Sequence, residues 1–336
     1  MSSVKSYLSR APLASRMLNY TCQLATLSLL IFLPAAASAQ AHAVAMTVDD
    51  LPYATPNSIS SADAAEAREI NRRILRAFKR HHIPATGFVI EKKVEDLGKP
   101  TGQLILQQWT RPGFDLGNHL FSHPDVNMLT LAQTEEEITR GEATFAPLLA
   151  QAGKHPEFLR FPYNHTGDTR EKHDAIAAFM MAHGYRLAPC TIDNSDYEFN
   201  DAYVLALALH DESMAARVRK AYLDYSGAEI DWYTRLNHDV LGYDPPHIML
   251  LHDSQLNADT IDQVLNLFQK RGYHFVTLQQ ALQSPAYAIP ETFITKYGPM
   301  WGYRWAEELG VKASGRNEPD PPEWIAEYRK LHLAKH

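Results

Sequence analysis

The sequence predicts an α/β fold built on a mostly parallel sheet, open or closed into a barrel. Two observations carry that expectation. Short apolar runs alternate with stretches of helical periodicity from Ala43 to about Leu282, and most of the runs break off abruptly in charged or polar residues. The first run, Ala43 to Val48, ends in two adjacent carboxylates, Asp49 and Asp50, before Pro52 turns the chain. Neighbouring strand residues point to opposite faces, so paired Asp residues are costly within a sheet but useful at a strand's end, where both can reach a pocket.

The 336 residues suffice for one large domain or two ordinary ones. Residues 1–39 differ in character: Lys5, Arg10 and Arg16 without an acidic residue, an apolar run from Leu24 to Leu33, then Ala37-Ser38-Ala39. This order predicts a secretory signal removed after Ala39, with no stable membrane anchor left behind and a periplasmic or extracellular destination. Its loss turns the formal charge of −7 into −10, which makes nucleic acid a poor partner. Of the two cysteines, Cys22 leaves with the leader and Cys190 remains, so no internal disulfide is expected.

Taken in order, capping residues Ser61 and Asp63 and apolar Ile70, Ile74, Leu75 and Phe78 predict a helix over residues 60–80. A buried strand is expected at Thr86 to Ile90, a helix at Gly102 to Trp109, and a short strand at Phe114 to Leu116. One long helix is expected from Thr130 to Ala150, with Pro147 kinking or stopping it. Strand Phe158-Leu159, helix Thr169 to His183 and a strand at Arg186 to Ile192 follow. Residues 198–246 read as an insertion of two helices, Asp201 to Asp224 and Ala228 to Asp239, serving either as a rim buttress or as an overhang of a pocket. Strand His247 to Leu251, helix Thr260 to Arg271, strand His274 to Thr277 and a short helix close the domain at residue 284. Residues 285–336, rich in Pro and Trp, read as an extension packed on its outside.

Candidate chemistry gathers at the predicted strand ends. His119 and His123 stand four apart, and on one helical turn both rings could chelate an ion; with a carboxylate they form an open three-ligand set. Arg160 could hold a carboxylate through a bidentate pair. His252, ending Ile248 to Leu251, suits a general acid, with a satisfied core histidine as the alternative. Asp193 and Asp196 also follow a strand. In parallel α/β barrels all these ends lie on one face.

The motifs TVDDLP (47–52), HLFSH (119–123), RFPY (160–163), DNSDY (193–197) and LLH (250–252) occur in the order seen in the polysaccharide deacetylases with a NodB-homology domain, carbohydrate esterase family 4, which the chain resembles over Ala43 to Leu282. The resemblance implies a distorted (β/α) barrel of about seven strands and a divalent metal, usually zinc, with cobalt or nickel as alternatives. By the same resemblance Asp50, His119 and His123 hold the metal, and Asp49 is the base oriented by Arg160. His252 is the acid tuned by Asp193, and the Tyr163 backbone N–H receives the oxyanion. Leu51, Pro162 and Leu250 would shape the substrate pocket. Three positions depart from the family: Leu51 for Gly, Leu120 for Ser or Thr, and Tyr197 for Trp. Leu51 beside the base implies a narrower or reshaped pocket.

The expected activity is hydrolysis of N-acetyl groups on an amino-sugar glycan. An O-acetyl esterase, a small-amide hydrolase and an inactive glycan-binding protein are the alternatives. The oligomeric state is not readable from the sequence.

Overall fold

The protein is described from a computed structural model over residues 42–54 and 63–333. The expected leader at 1–39 and the expected helix start at Ser60 and Ser61 lie outside the described residues.

Among the described residues seven strands form a curled sheet: β1 (Ala43–Leu51), β2 (Ala85–Val89), β3 (Phe114–Asn118), β4 (Phe158–Leu159), β5 (Arg186–Leu187), β6 (His247–His252) and β7 (His274–Val276). Every pairing is parallel, in the order β5-β4-β3-β2-β1-β6, with β7 beside the start of β1. The two ends meet where the chain beyond β5 bridges β6 at Ile192 and Met249, and Leu250 N–H donates to Ile192 C=O at 3.0 Å. That closure makes the expected distorted barrel.

Strand β1 shows why the site sits where it does. Val44, Met46 and Val48 join the large core under the outer helices, whereas Ala45 packs inside the barrel with Phe88, Phe158 and Ile248. The two-residue period then carries Thr47 and Asp49 inward as well. A strand covered on both faces reads as a continuous apolar run, as this one does.

The helices are α1 (Ala64–Arg80), α2 (Glu91–Asp96), α3 (Lys99–Trp109), α4 (Leu131–Gly141), α5 (Phe145–Gln151), α6 (Arg170–Ala182), α7 (Asp196–Ala208), α8 (Glu212–Leu241), α9 (Gln255–Lys270), α10 (Leu278–Ala281), α11 (Trp301–Leu309) and α12 (Glu323–Leu333). Asp63, Thr130, Thr169, Asp211 and Ser254 cap their helices through side-chain oxygens.

Several helix bounds differ from expectation. The long helix expected from Thr130 divides into α4 and α5, because a Cβ at Gly141 would meet Asn118 Oδ1 at 2.5 Å and the Leu120 backbone at 2.9 Å, so α4 ends against the loop after β3. Pro147 agrees with the break: it falls in the first turn of α5, where an N–H has no intrahelical partner, and the residue four before it, Ala143, lies between the two helices. The insertion breaks at Leu209-His210, not near residue 226, because Gly227 leaves room for Arg271, which donates to Gly227 C=O at 3.0 Å and pairs with Asp231. Helix α9 starts five residues before the expected Thr260, at the Ser254 cap.

Candidate active site

The strand ends converge. Asp50 takes a left-handed φ of 70° as β1 finishes, which turns its carboxylate from the strand face toward the loop after β3. His119 and His123 are not on a helical turn. They lie in that loop, where Leu120 (φ 68°) and His123 (φ 61°) fold the backbone back on itself. Non-glycine residues in this region are uncommon and cluster where the surroundings over-determine them.

His119 Nε2 and His123 Nε2 stand 3.6 and 3.5 Å from Asp50 Oδ1. His119 Nδ1 donates to Arg160 C=O at 2.7 Å, so the lone pair is on Nε2 and faces the site. Asp50 Oδ1 is buried without a hydrogen-bond partner, and one ligand atom from each of the three residues fits within 4.8 Å. An orphaned carboxylate oxygen facing two imidazole nitrogens fits a divalent cation with borderline-soft tastes. Burial pushes His119 down, and pushes His123 down to about 4, so both imidazoles are neutral at physiological pH and each could offer a lone pair to a cation. Burial would raise Asp50, but Lys93, whose Nζ donates to Asp50 Oδ2 at 2.9 Å, together with the neighbouring histidines holds it below the usual carboxylate range.

Asp49 is 2% exposed. Arg160 Nη1 donates to its Oδ1 and to Thr47 Oγ1, both at 2.7 Å. Arg160 is itself fixed by Nε to Ala188 C=O at 3.0 Å and lies over the Phe88 ring. Asp49 Oδ2 is left toward His119 Nε2 at 3.8 Å. A buried arginine with this many partners has one geometry, and it hands that geometry to the carboxylate.

His252 closes the opposite side, and here the expectation is corrected. Its partner is Asp196, not Asp193: His252 Nδ1 and Asp196 Oδ1 are 2.6 Å apart, and the His252 N–H donates to Asp196 Oδ2 at 2.7 Å. Ser195 adopts φ 48°, which starts α7 immediately and swings Asp196 inward. Burial lowers the His252 pKa, but Asp196, then Asp50 and Asp49, more than offset this and carry it up to about 10. Asp193 stays on the pocket wall, accepts from Ser195 N–H at 3.0 Å, and is raised to about 6 by burial and Asp196.

The site opens into a cavity of ≈ 660 Å³. Leu250 lines it, as expected, whereas Pro162 is buried beneath the wall. Leu51 does not reshape the pocket: it is fully buried, and its Cδ1 would lie 2.1 Å from a Cβ at Gly87. The missing side chain at Gly87 is what admits it. Leu120 is likewise buried, packed with Val126, Ile138 and Phe161.

Residues outside the motifs complete the wall. Lys93 comes from α2, Asn200 from the insertion, and Gly298 and Met300 from the C-terminal extension, which therefore reaches the site. Asp196 was visible as the second acid of DNSDY; nothing in the local sequence marks Lys93, Gly298 or Met300.

The strand ends of the barrel thus gather around one cavity an arginine-held carboxylate, a carboxylate-held histidine and a three-residue donor set that could hold a metal ion. Residues 36–185 match the polysaccharide deacetylase family, and the resemblance read from the motifs is borne out. The peptidoglycan-N-acetylglucosamine deacetylase of Bacillus cereus is 22% identical over 69% of this chain and 70% of its own. A chitin deacetylase of Arthroderma benhamiae is 23% identical over 54% of this chain and 40% of its own. Among solved structures, a family 4 carbohydrate esterase pseudoenzyme from Bacillus anthracis is 14% identical, with 72% of this chain and 66% of that one covered and a TM-score of 0.48.

Proposed function

We propose that this protein is an exported, metal-dependent hydrolase that removes N-acetyl groups from an amino-sugar glycan, releasing acetate and a free amine. The observation that carries the reading is the pairing of a held base and a held acid across one donor set: Asp49 on Arg160, His252 on Asp196, and Asp50, His119 and His123 between them. The names of the two curated relatives support a glycan amide as substrate. The composition of residues 1–39 supports export.

A divalent cation held by Asp50, His119 and His123, zinc by its donor set, would supply Lewis-acid polarisation of the acyl oxygen and a more acidic water. Asp49 accepts the water proton on Oδ2, since Arg160 occupies Oδ1. The oxygen adds to the acyl carbon, and the Tyr163 N–H donates to the developing oxyanion. His252 donates its Nε2 proton to the departing nitrogen, which leaves poorly without it, while Asp196 retains the Nδ1 hydrogen and stabilises the imidazolium. The C–N bond breaks, and one water has been divided between acetate and amine.

The test is acetate release together with a count of new amines. Equal yields of both support the amide reading, and acetate without amine would move it to an ester.

A further inference from the structure

The C-terminal extension was expected on the outside, yet it grips the loop that carries Tyr163. Tyr163 and Asn164 are consecutive left-handed residues, φ 59° and 54°, a pairing that side-chain-bearing residues hold only under external constraint. Two contacts from the extension supply the constraint. Arg304, 1% exposed, donates from Nη2 to Asn164 C=O at 2.6 Å and from Nη1 to Thr166 Oγ1 at 3.2 Å. Its Nε donates to Pro299 C=O at 3.2 Å, Glu291 pairs with Nη1, and Trp301 stacks on the guanidinium, so the cation cannot swing away. Gly298 lies so close that a Cβ there would come within 1.7 Å of Tyr163 O. Trp301 N–H donates to Cys190 C=O at 2.9 Å, which ties the segment to the barrel closure.

We propose that the extension is a working part of the active site: Arg304 and Gly298 hold the Tyr163–Asn164 turn so that the Tyr163 N–H meets the oxyanion. The inference rests on the deacetylase reading. Arg304 is a positioning residue, since it acts through the turn and does not face the cavity. A backbone donor cannot be adjusted by a rotamer change; its place is set by whatever fixes the loop. Moving such a group by about 1 Å costs about 10²-fold in rate.

The experiment compares Arg304→Met, Arg304→Lys and Gly298→Ala with the unaltered full chain. Glu308→Ala serves as a control, because Glu308 accepts from Thr292 N–H at 2.6 Å within the same extension without touching the turn. Bound metal per chain, circular dichroism, kcat and KM are measured for each on one N-acetylated oligosaccharide. Arg304→Met and Gly298→Ala are expected to lose about 10- to 100-fold in kcat, with KM and metal content little changed. Arg304→Lys, which keeps a donor in reach of Asn164 C=O, recovers most of the loss, and Glu308→Ala matches the parent. Should Arg304→Met fail to fold, Gly298→Ala decides. Unchanged kcat in folded Gly298→Ala, with Arg304→Met also unaffected if folded, overturns the inference alone, as does a loss that tracks metal loss. A parent protein that releases no acetate overturns the deacetylase reading and this inference with it.

Discussion

Replacing Asp196 by Asn isolates what sets the acid. Asp196 is fully buried and spans both the ring and the backbone N–H of His252. Two unit charges with centres about 4 Å apart interact by about 4 kcal/mol at an effective dielectric of 20, equivalent to about three pK units. Losing that attraction takes His252 from about 10 to the ordinary histidine range or below it, because burial, which lowers the pKa, then goes unopposed by Asp196. At pH 8 an imidazole of pKa about 6.5 is only about 3% protonated, so kcat falls by roughly 30-fold there, while at pH 6 most of the activity returns. The assay is kcat against pH between 5 and 10 for both proteins at saturating metal. The alkaline limb should move toward acid in the variant. An alkaline limb that stays in place would show that Asp196 does not govern the acid, and an equal loss at every pH would indicate misplacement of the ring instead of a change in its charge.

Other variants test the remaining assignments. His119→Ala should lose both bound metal and activity, measured by metal analysis after gel filtration, and full occupancy would remove His119 from the ligand set. His252→Ala should keep its metal and lose most of kcat; equal activity would end its role as acid. Leu51→Gly should cost ~3–5 kcal/mol in denaturant unfolding, from the cavity left against Gly87 and Trp109, and leave KM unchanged. A changed KM with intact stability would put Leu51 back in the pocket. Glu229, 1% exposed, is raised to about 8 by burial, with Glu318 and Asp193 adding to it. Its folded pKa lies above the unfolded value, so its contribution is complete below about pH 4.5 and fades as pH rises through 8. Glu229→Gln should therefore gain on the order of 5 kcal/mol relative to the parent at pH 9 and nothing at pH 4, read from unfolding curves at the two pH values.

Much of the barrel was legible because strands buried on both faces announce themselves as apolar runs, and their C-terminal ends must share a face in a parallel sheet. Asp49, Asp50, His119, Arg160 and His252 all stood at such ends. What failed was decided by contacts between distant segments. Gly87 is unremarkable beside Leu51 in sequence and lies under it in space. The partner of His252 depended on the left-handed Ser195, which no spacing argument distinguishes from a turn ending on Asp193. The division between α4 and α5 was set by the closeness of Gly141 to the site loop, and the reach of the extension by the lack of a side chain at Gly298. In each case a three-dimensional fit overrode local propensity.

The most direct test of the account is acetate release by the metal-stripped protein from N-acetylated and O-acetylated oligosaccharides before and after zinc or cobalt is restored. No release from the stripped protein, recovery with metal, and one new amine for each acetate are expected. Release that persists without metal, or no release from any substrate with metal demonstrably bound, would contradict it.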